Sequence, residues 1–455
     1  MESVKKFKIN LNGLSKKEKL CFEKLISAAE MLAPLYLKQK NNKYPGANFY
    51  PQDATKEEIQ AADKRNPKIL SPYTFVERDK SGKLIAVPFS VKFKKELEKI
   101  SQVLKEASAI CPDKKLKAYL KARAKDLLTD NYDKSNILWL KTEKSKIGFV
   151  IGPFDRYLDK LFFKKRAYMA WLGILNEKET EEARKITSIV LASKRKILPG
   201  AKKIDISKQN ARIDKTAIFS GLIADFMFTG NNLPSSADVD LIKKYGLVYT
   251  IFENSLDLKF KEQHYPTFKA IFAESFQRKY SKKELYKGSL RCIISHEISH
   301  SSIRYQGVTK KLGELFPIID ELYAYVLGVK SFGIPFLKGM ISQKELEAIL
   351  IMHLCRHFMW WLDLHKNPGV SHYATGSAIA LNFYIKEEGL RVTENTIRSF
   401  DFSKLFICID ELSHILDYLL ALGSYNETKK FIEKYSSFDI FKKFSPRLAK
   451  ISQKI

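Results

Sequence analysis

The sequence predicts a mainly α-helical fold with a smaller β component (α+β), arranged in two lobes. Apolar residues recur at helical spacing over residues 18–37 and 92–130, and nearly every pattern after residue 264 is helical. Runs rich in β-branched and aromatic residues predict strands in the first half of the chain. These runs cover residues 73–76, 84–90, 147–152 and 249–252. A chain of 455 residues is long enough for more than one core.

These patterns divide the chain into three parts. Residues 1–255 combine a small sheet with helices, residues 256–400 are helical, and residues 401–455 predict C-terminal helices that pack back on the body. Two breaks follow apolar runs. The first, at Gly152-Pro153, is expected to end a strand and lead into a turn over the acidic and aromatic residues up to Asp159, and residues 230–235 are interpreted as a second turn.

The composition is that of a globular protein rather than a disordered one. Hydrophobic residues make up 45% and charged residues 29%. The formal net charge of +28 raises the question of nucleic-acid binding. However, the lysines are dispersed and no known nucleic-acid-binding motif accompanies them. We therefore expect a general lysine-rich surface with nonspecific adhesion to polyanions and no specific nucleic-acid partner.

Localisation signals are weak in this sequence. Residues 1–8 lack the apolar run of a signal peptide, and the most apolar later stretch, 217–230, is short and contains Asp225. The five cysteines are scattered and never in C-x-x-C spacing. We expect a cytoplasmic, monomeric protein with no membrane span and with reduced, mostly buried thiols.

The strongest chemical signal is an H-E-x-x-H motif at His296, Glu297 and His300. On a helix this spacing sets two imidazoles one turn apart on one face, which is half of a zinc site. The intervening glutamate can take a proton from metal-bound water. A capping box at Ser281 and Glu284 supports a helix here. The alternative is a chance match on a solvated helix.

A catalytic zinc site usually takes three protein ligands, so a third one is needed. Residues 317–328 predict a helix that begins with proline and reaches Gly328, which suits either a helix stop or close packing. Asp320 and Glu321 lie in its middle among apolar residues, where carboxylates are costly unless paired or metal-bound. We therefore predict Glu321 as the third ligand and Asp320 as its outer partner.

Three further histidines have less specific surroundings. His353 and His357 also lie four residues apart, but no glutamate lies between them and no third ligand is near in sequence. We interpret this second pair as packing or hydrogen-bonded histidines rather than as a metal site. His372 lies near a predicted helix start, where a lone histidine is more often structural than catalytic.

Several separate stretches taken together resemble the dipeptidyl peptidase III family of zinc metallopeptidases, in particular its shorter bacterial members. The resemblance extends from about residue 49 to about residue 435. The joint presence of these stretches in this order is more specific than the H-E-x-x-H motif alone. The matching stretches are 49–51, 71–74, 151–159, 232–234, 296–300, 320–324 and 371–372.

The resemblance implies a role for each matched residue. One zinc ion per chain is bound by His296, His300 and Glu321, with Glu297 as general base. Tyr157 and His372 stabilise the charge on the tetrahedral intermediate. Asp155 receives the free amino terminus of the substrate, and Asn232 binds its backbone. These roles are implied for the following residues: Glu297, Tyr157, His372, His296, His300, Glu321, Asp155 and Asn232.

The chain departs from the family pattern in four places. The motif has five residues where the family often has H-E-x-x-G-H, and 20 residues separate His300 from Glu321, a shorter connection than in the large members. Ser235 stands where the family has a second asparagine. Tyr325 stands where an acidic residue often follows the alanine of the ligand helix, which predicts a looser shell around a zinc histidine.

The sequence therefore predicts a zinc aminodipeptidase that acts on short peptides. Residues 1–255 would form the substrate-binding lobe and residues 256–400 the zinc-binding catalytic lobe, facing each other across a cleft. Two alternatives remain open. One is a zinc endopeptidase or another amide hydrolase of the same fold, and the other is a catalytically degenerate, basic binding protein.

Overall fold

The computed structural model describes residues 3–192, 198–204, 208–234, 238–302, 304–366 and 371–452. The strands are β1 Val4–Lys6, β2 Thr74–Arg78, β3 Leu84–Pro88, β4 Ile147–Asp155, β5 Ala167–Leu175, β6 Lys203–Ile204, β7 Gln209–Gly221, β8 Gly230–Leu233, β9 Leu247–Phe252 and β10 Arg304–Tyr305. The helices up to the middle of the chain are α1 Lys16–Gln39, α2 Lys56–Arg65, α3 Phe89–Lys92, α4 Lys94–Ile110, α5 Lys114–Asp126, α6 Asp133–Leu140, α7 Glu177–Ala192, α8 Leu222–Phe226, α9 Val239–Tyr245 and α10 Glu253–Lys259. The later helices are α11 Tyr265–Ile271, α12 Glu274–Gln277, α13 Lys282–Ser302, α14 Val308–Leu312, α15 Phe316–Lys330, α16 Gly333–Leu337, α17 Gln343–Lys366, α18 Ser371–Lys386, α19 Phe402–Ala421, α20 Tyr425–Tyr435 and α21 Asp439–Ser452, with a π-helix at Phe260–His264 and a 3₁₀ turn at Gly313–Leu315.

The chain folds into two compact units. The first contains Met1–Thr180 and Asn210–Asn254, and the second contains Glu181–Gln209 and Ser255–Ile455. Helices predominate and the strands are a smaller component, so the predicted fold class is confirmed. The sequence predicts a substrate-binding lobe at residues 1–255, a zinc-binding lobe at 256–400 and C-terminal helices at 401–455. This division assigns a function to each part, and it stays a prediction.

The first unit is built on a sheet with the strand order β4-β5-β7-β9-β8, to which β1 adds by pairing with β7. The pairs β4 with β5, β5 with β7, and β8 with β9 are antiparallel. Strands β4 and β5 are almost continuously apolar and buried, as expected for strands covered on both faces. Within the described sheet, β4 and β8 lie at the ends of this order.

The predicted strands are confirmed, and Tyr157 and Leu158 lie in a turn, within the stretch where the sequence predicts one. The predicted break at Gly152-Pro153 is wrong, and so is the predicted turn over residues 230–235 as far as Gly230–Leu233 are concerned. Strand β4 continues through Gly152 and Pro153 to Asp155, with a register shift between Pro153 and Asp155. Proline is tolerated there because an end strand needs no donor on its outer side. Residues Gly230–Leu233 form strand β8, since pairing with β9 outweighs their turn propensity. Ser235 lies outside the described residues.

Two further features concern the helices and the cysteines. No described helix combines the length and apolar character needed to cross a lipid bilayer. All five cysteines are buried and free, as predicted.

The second unit is organised around α13, which packs against α15 and α17. The predicted capping box is confirmed, because the Glu284 N–H donates to Ser281 Oγ and the Ser281 N–H donates to the Glu284 carboxylate. A Cβ atom on Gly328 of α15 would lie only 2.9 Å from the Ser295 carbonyl carbon and 3.0 Å from the His296 nitrogen. Of the two alternatives that the sequence leaves open at Gly328, the structure supports close packing, because α15 continues to Lys330.

We expect Gly328→Ala to lower the free energy of unfolding by about 1–3 kcal/mol, because the added methyl group collides with backbone that cannot rotate away. This cost exceeds the roughly 1 kcal/mol that alanine gains over glycine in a helix. Thermal and denaturant melts measure the change. Gly13→Ala is the control, since no heavy atom lies within 4 Å of its added Cβ. Equal stability of both variants would contradict the close packing.

Candidate metal centre

Helix α13 presents His296, Glu297 and His300 in a largely apolar environment. His296 and Glu297 are buried, and His300 is half-buried. The two Nε2 atoms lie 3.2 Å apart, and the ring planes are inclined at 77°. Both imidazoles therefore direct Nε2 to one point, as the spacing of four residues predicts.

Helix α15 brings Glu321 to the same point. Its Oε2 lies 3.3 Å from His300 Nε2 and 3.5 Å from His296 Nε2, and the side chain is buried. Among the described residues, this is the group of histidine, cysteine and carboxylate side chains that can hold a metal ion. Ligands bound tetrahedrally to zinc at 2.0–2.1 Å lie about 3.3 Å from one another. The observed separations therefore fit zinc without rearrangement.

The charges around this group favour a bound cation. Burial favours neutral imidazole at His300, but the Glu321 and Asp320 carboxylates outweigh burial and raise its pKa well above the usual value. Burial also opposes the Glu321 carboxylate, yet the nearby His300 charge dominates and lowers its pKa to about 2. Asp320 Oδ2 lies 3.4 Å from His300 Nδ1, the ring nitrogen that does not face the other candidate ligands. The role of Asp320 as an outer partner stays a prediction.

Glu297 has the opposite electrostatic character. Burial raises the pKa of its carboxyl to about 7, and the charges of His300 and Arg356 offset only part of this effect. A carboxyl group with a pKa near neutrality can both accept and return a proton at physiological pH. Glu297 interacts electrostatically with His300 and Glu321, so its carboxyl lies in the same charged neighbourhood as the candidate ligands.

The second histidine pair has the same spacing but different neighbours. His353 Nε2 and His357 Nε2 are 3.2 Å apart, His353 Nε2 contacts the Tyr384 hydroxyl at 2.9 Å, and His357 Nδ1 contacts Ser377 Oγ at 3.1 Å. Burial lowers the pKa of His353 to about 3, so this ring is neutral. The prediction of hydrogen-bonded histidines is confirmed.

Two tyrosines that the sequence did not assign as functional lie beside the ligands. The Tyr373 hydroxyl donates to Glu321 Oε1 at 3.0 Å. The Tyr325 ring stacks on His296, with centroids 4.0 Å apart and planes inclined at 30°. The sequence gives only weak signals for these two residues. Tyr373 directly follows the predicted site residue His372, and Tyr325 is a departure from the family pattern.

His372 lies at the start of α18, as predicted, and its ring centroid is 4.2 Å from that of Tyr373. Burial raises the pKa of Glu321, but the charges of His300 and His296 and, more weakly, that of His372 lower it. His372 is therefore part of the surroundings of the third ligand. The structure brings together His296, Glu297, His300, Asp320, Glu321 and His372.

The other predicted residues, Asp155, Tyr157 and Asn232, belong to the first unit. Asp155 ends β4, and its Oδ1 accepts the Tyr157 N–H at 2.8 Å. The Tyr157 ring lies 6.1 Å from that of Phe228, in the segment that leads into β8. Asn232 lies on β8 opposite Tyr249 of β9. Asp155 and Asn232 therefore lie on strands rather than in the turns that the sequence predicts for them, whereas Tyr157 lies in a turn as predicted.

Comparison with solved structures identifies the fold. A structure of DPP III from Caldithrix abyssi is 21% identical, with a TM-score of 0.84, and the match covers 99% of this chain and 96% of that one. A structure of dipeptidyl-peptidase III from Corallococcus sp. strain EGB is also 21% identical, with a TM-score of 0.85 and coverage of 99% and 93%. The resemblance that the sequence predicts is confirmed for the fold.

Sequence comparison gives a more distant result. No family model matches the chain. Nudix hydrolase 3 of Arabidopsis thaliana is 22% identical over 425 residues, covering 86% of this chain and 54% of that protein. The chain spans about half the length of this curated relative, so the relative's name describes a longer protein.

We expect the chain to bind one zinc ion, and His300→Gln to weaken binding at least about 100-fold, beyond the 10- to 100-fold typical of outer-shell changes. Chelator-stripped protein titrated with zinc against a chromogenic chelator gives both stoichiometry and affinity. His357→Gln is the matched control, because it removes one imidazole from the pair that lacks a carboxylate. Equal zinc affinity in the two variants would contradict the assignment of His300 as a ligand.

Proposed function

Because the chain has the fold of dipeptidyl peptidase III, we propose that it is a zinc-dependent peptidase that removes dipeptides from the amino terminus of short peptides. The observation that carries this proposal is the convergence of His296, His300 and Glu321 beside the buried Glu297. A nitrogen, nitrogen and oxygen donor set with an adjacent glutamate is typical of zinc hydrolases.

The ligands and the glutamate divide the chemistry between them. A zinc ion held by the three side chains supplies Lewis acidity toward water and toward the substrate carbonyl. Glu297 accepts the proton of the attacking water and returns it to the leaving amine. Burial raises the pKa of this carboxyl above that of an exposed glutamate, which favours its taking up the proton. Asp320 orients His300 through Nδ1, which keeps Nε2 directed at the metal.

Four further residues are assigned to substrate. We propose that Tyr157 and His372 donate hydrogen bonds to the carbonyl oxygen as negative charge develops on it. Asp155 binds the free amino group of the peptide. Such an ion pair would fix the distance between the amino terminus and the cleaved bond, so that a dipeptide is released. The backbone N–H of Tyr157 fixes the orientation of this carboxylate. Asn232 binds the peptide backbone.

Strand β8 supports the backbone-binding role. It lies at the end of the strand order and pairs with β9 on one side. A short extended peptide can add to such an edge through main-chain hydrogen bonds, which do not depend on the identity of the peptide's side chains. Asn232 lies in the middle of this strand, so we propose broad specificity for short peptides.

We expect Glu297→Gln to lower kcat for dipeptide release by about 100- to 10,000-fold, the usual contribution of a general base. Mass spectrometry of a panel of free-amino-terminal peptides measures release at matched zinc content, with the exposed Glu98→Gln as control. Full activity in Glu297→Gln would contradict the assignment. A zinc-loaded wild type that releases no dipeptide would favour the binding-protein alternative.

We expect Asp155→Asn to lower kcat/KM about 10- to 100-fold for peptides with a free amino group, the equivalent of one hydrogen bond to a charged group. Asparagine keeps the acceptor for the Tyr157 N–H, so the loop geometry is preserved. N-acetylated peptides serve as the control substrates. If the wild type cleaves them as well as free peptides, the protein is an endopeptidase or another amide hydrolase.

A further inference from the structure

Trp360 of α17 contacts both tyrosines that lie against the candidate ligands. Its indole Nε1 donates to the Tyr325 hydroxyl at 3.0 Å. Its ring stacks on Tyr373, with centroids 4.1 Å apart and planes inclined at 13°. A single half-buried side chain therefore contacts two residues from two other helices, α15 and α18.

The contact with Tyr325 reaches His296. The Tyr325 hydroxyl also accepts from Arg356 Nη2 at 2.7 Å, and both residues are buried, so the ring is held from two directions. Its face lies 4.0 Å from the His296 ring. His296 Nδ1 is buried and has no hydrogen-bond partner among the residues that the structure describes. Metal-binding histidines are usually oriented by a hydrogen bond at this second nitrogen, and here the stacked ring takes that role.

The contact with Tyr373 reaches Glu321. The Tyr373 hydroxyl donates to Oε1 at 3.0 Å, while Oε2 lies 3.3 Å and 3.5 Å from the two imidazoles. The hydroxyl therefore determines which carboxylate oxygen faces the metal position. Stacking on Trp360 restricts the Tyr373 ring, since offset face-to-face packing limits rotation about the side-chain bonds.

We propose that Trp360 is a positioning residue that sets the orientation of two of the three metal ligands, His296 through Tyr325 and Glu321 through Tyr373. In this role Trp360 acts through the two tyrosines and needs no contact of its own with metal or substrate. Pre-orientation of the ligands increases metal affinity, because less side-chain freedom is lost when the ion binds. The inference rests on the metal centre of the proposed function and is independent of which bond is cleaved.

Conservative variants separate the two contacts. Trp360→Phe keeps an aromatic ring against Tyr373 and removes the N–H donor, whereas Tyr373→Phe removes only the hydroxyl. Two matched controls exist: Trp361→Phe changes the neighbouring indole, which stacks on Phe441 at 5.1 Å, and Tyr384→Phe removes the hydroxyl that contacts His353. Melting of the zinc-free proteins shows whether each variant is folded.

We expect zinc affinity, measured by chelator competition, to fall about 10- to 100-fold in Tyr373→Phe and about 3- to 10-fold in Trp360→Phe, the range typical of residues that orient metal ligands. The visible absorption of the cobalt-loaded protein should also shift in both variants. The controls should match the wild type in both measurements. A Trp360→Phe/Tyr373→Phe double variant should lose less than the product of the two effects, because the two side chains are in contact and orient ligands of the same ion.

Two outcomes would overturn the proposal. The first is folded Trp360→Phe and Tyr373→Phe proteins with the zinc affinity and cobalt spectrum of their controls. The second is a wild type that binds neither zinc nor cobalt, which would remove the metal centre as well. Lowered affinity in these variants together with no dipeptide release by the zinc-loaded wild type would uphold the positioning role and reject the peptidase.

Discussion

The close contact between α13 and α15 at Gly328 is the constraint on which the candidate metal centre depends. Gly328 faces the backbone of Ser295 and His296, where a side chain cannot be accommodated. Glu321 lies seven residues earlier, two helical turns away on the same face of α15. The same packing that buries the two helices therefore delivers the carboxylate to the imidazoles, and helix packing and ligand geometry cannot vary independently.

Within this packed environment, two buried carboxyl groups acquire opposite properties. Burial raises the pKa of Glu297 to about 7, whereas the imidazoles nearest Glu321 lower its pKa to about 2 against the same effect of burial. Both carboxyl groups are buried, so exposure does not explain the difference between their pKa values. The pKa of Glu321 is lower because its carboxylate lies within 3.5 Å of both imidazoles. Such a separation between neighbouring carboxyls is how one site provides both an anionic ligand and a group that exchanges protons.

The two histidine pairs show how neighbours decide between similar local patterns. Each pair has four-residue spacing and Nε2 atoms 3.2 Å apart. The first pair faces Glu321 from another helix, and the second faces the hydroxyl groups of Tyr384 and Ser377. Two neutral imidazoles without a carboxylate satisfy each other by hydrogen bonding, and a cation there would lack a compensating charge. The spacing alone is therefore insufficient to identify a metal site.

The sequence by itself determined the features that depend on local order. The capping box at Ser281, the four-residue spacing of His296 and His300, and the acidic pair at Asp320 and Glu321 on an apolar helix each act within a turn or two of one element. These features predicted α13, α15 and the candidate ligand set. The strand patterns and the resemblance likewise predicted the mainly helical fold.

Tertiary structure alone decided what depends on contacts between distant elements. Strand β8 exists because β9 pairs with it, and β4 continues through Pro153 because it lies at the end of the sheet order. The contacts of Trp360 join residues from three helices, and no periodicity in one segment encodes such a meeting. Side-chain identity gave the chemistry of each ligand, and packing between helices gave its orientation.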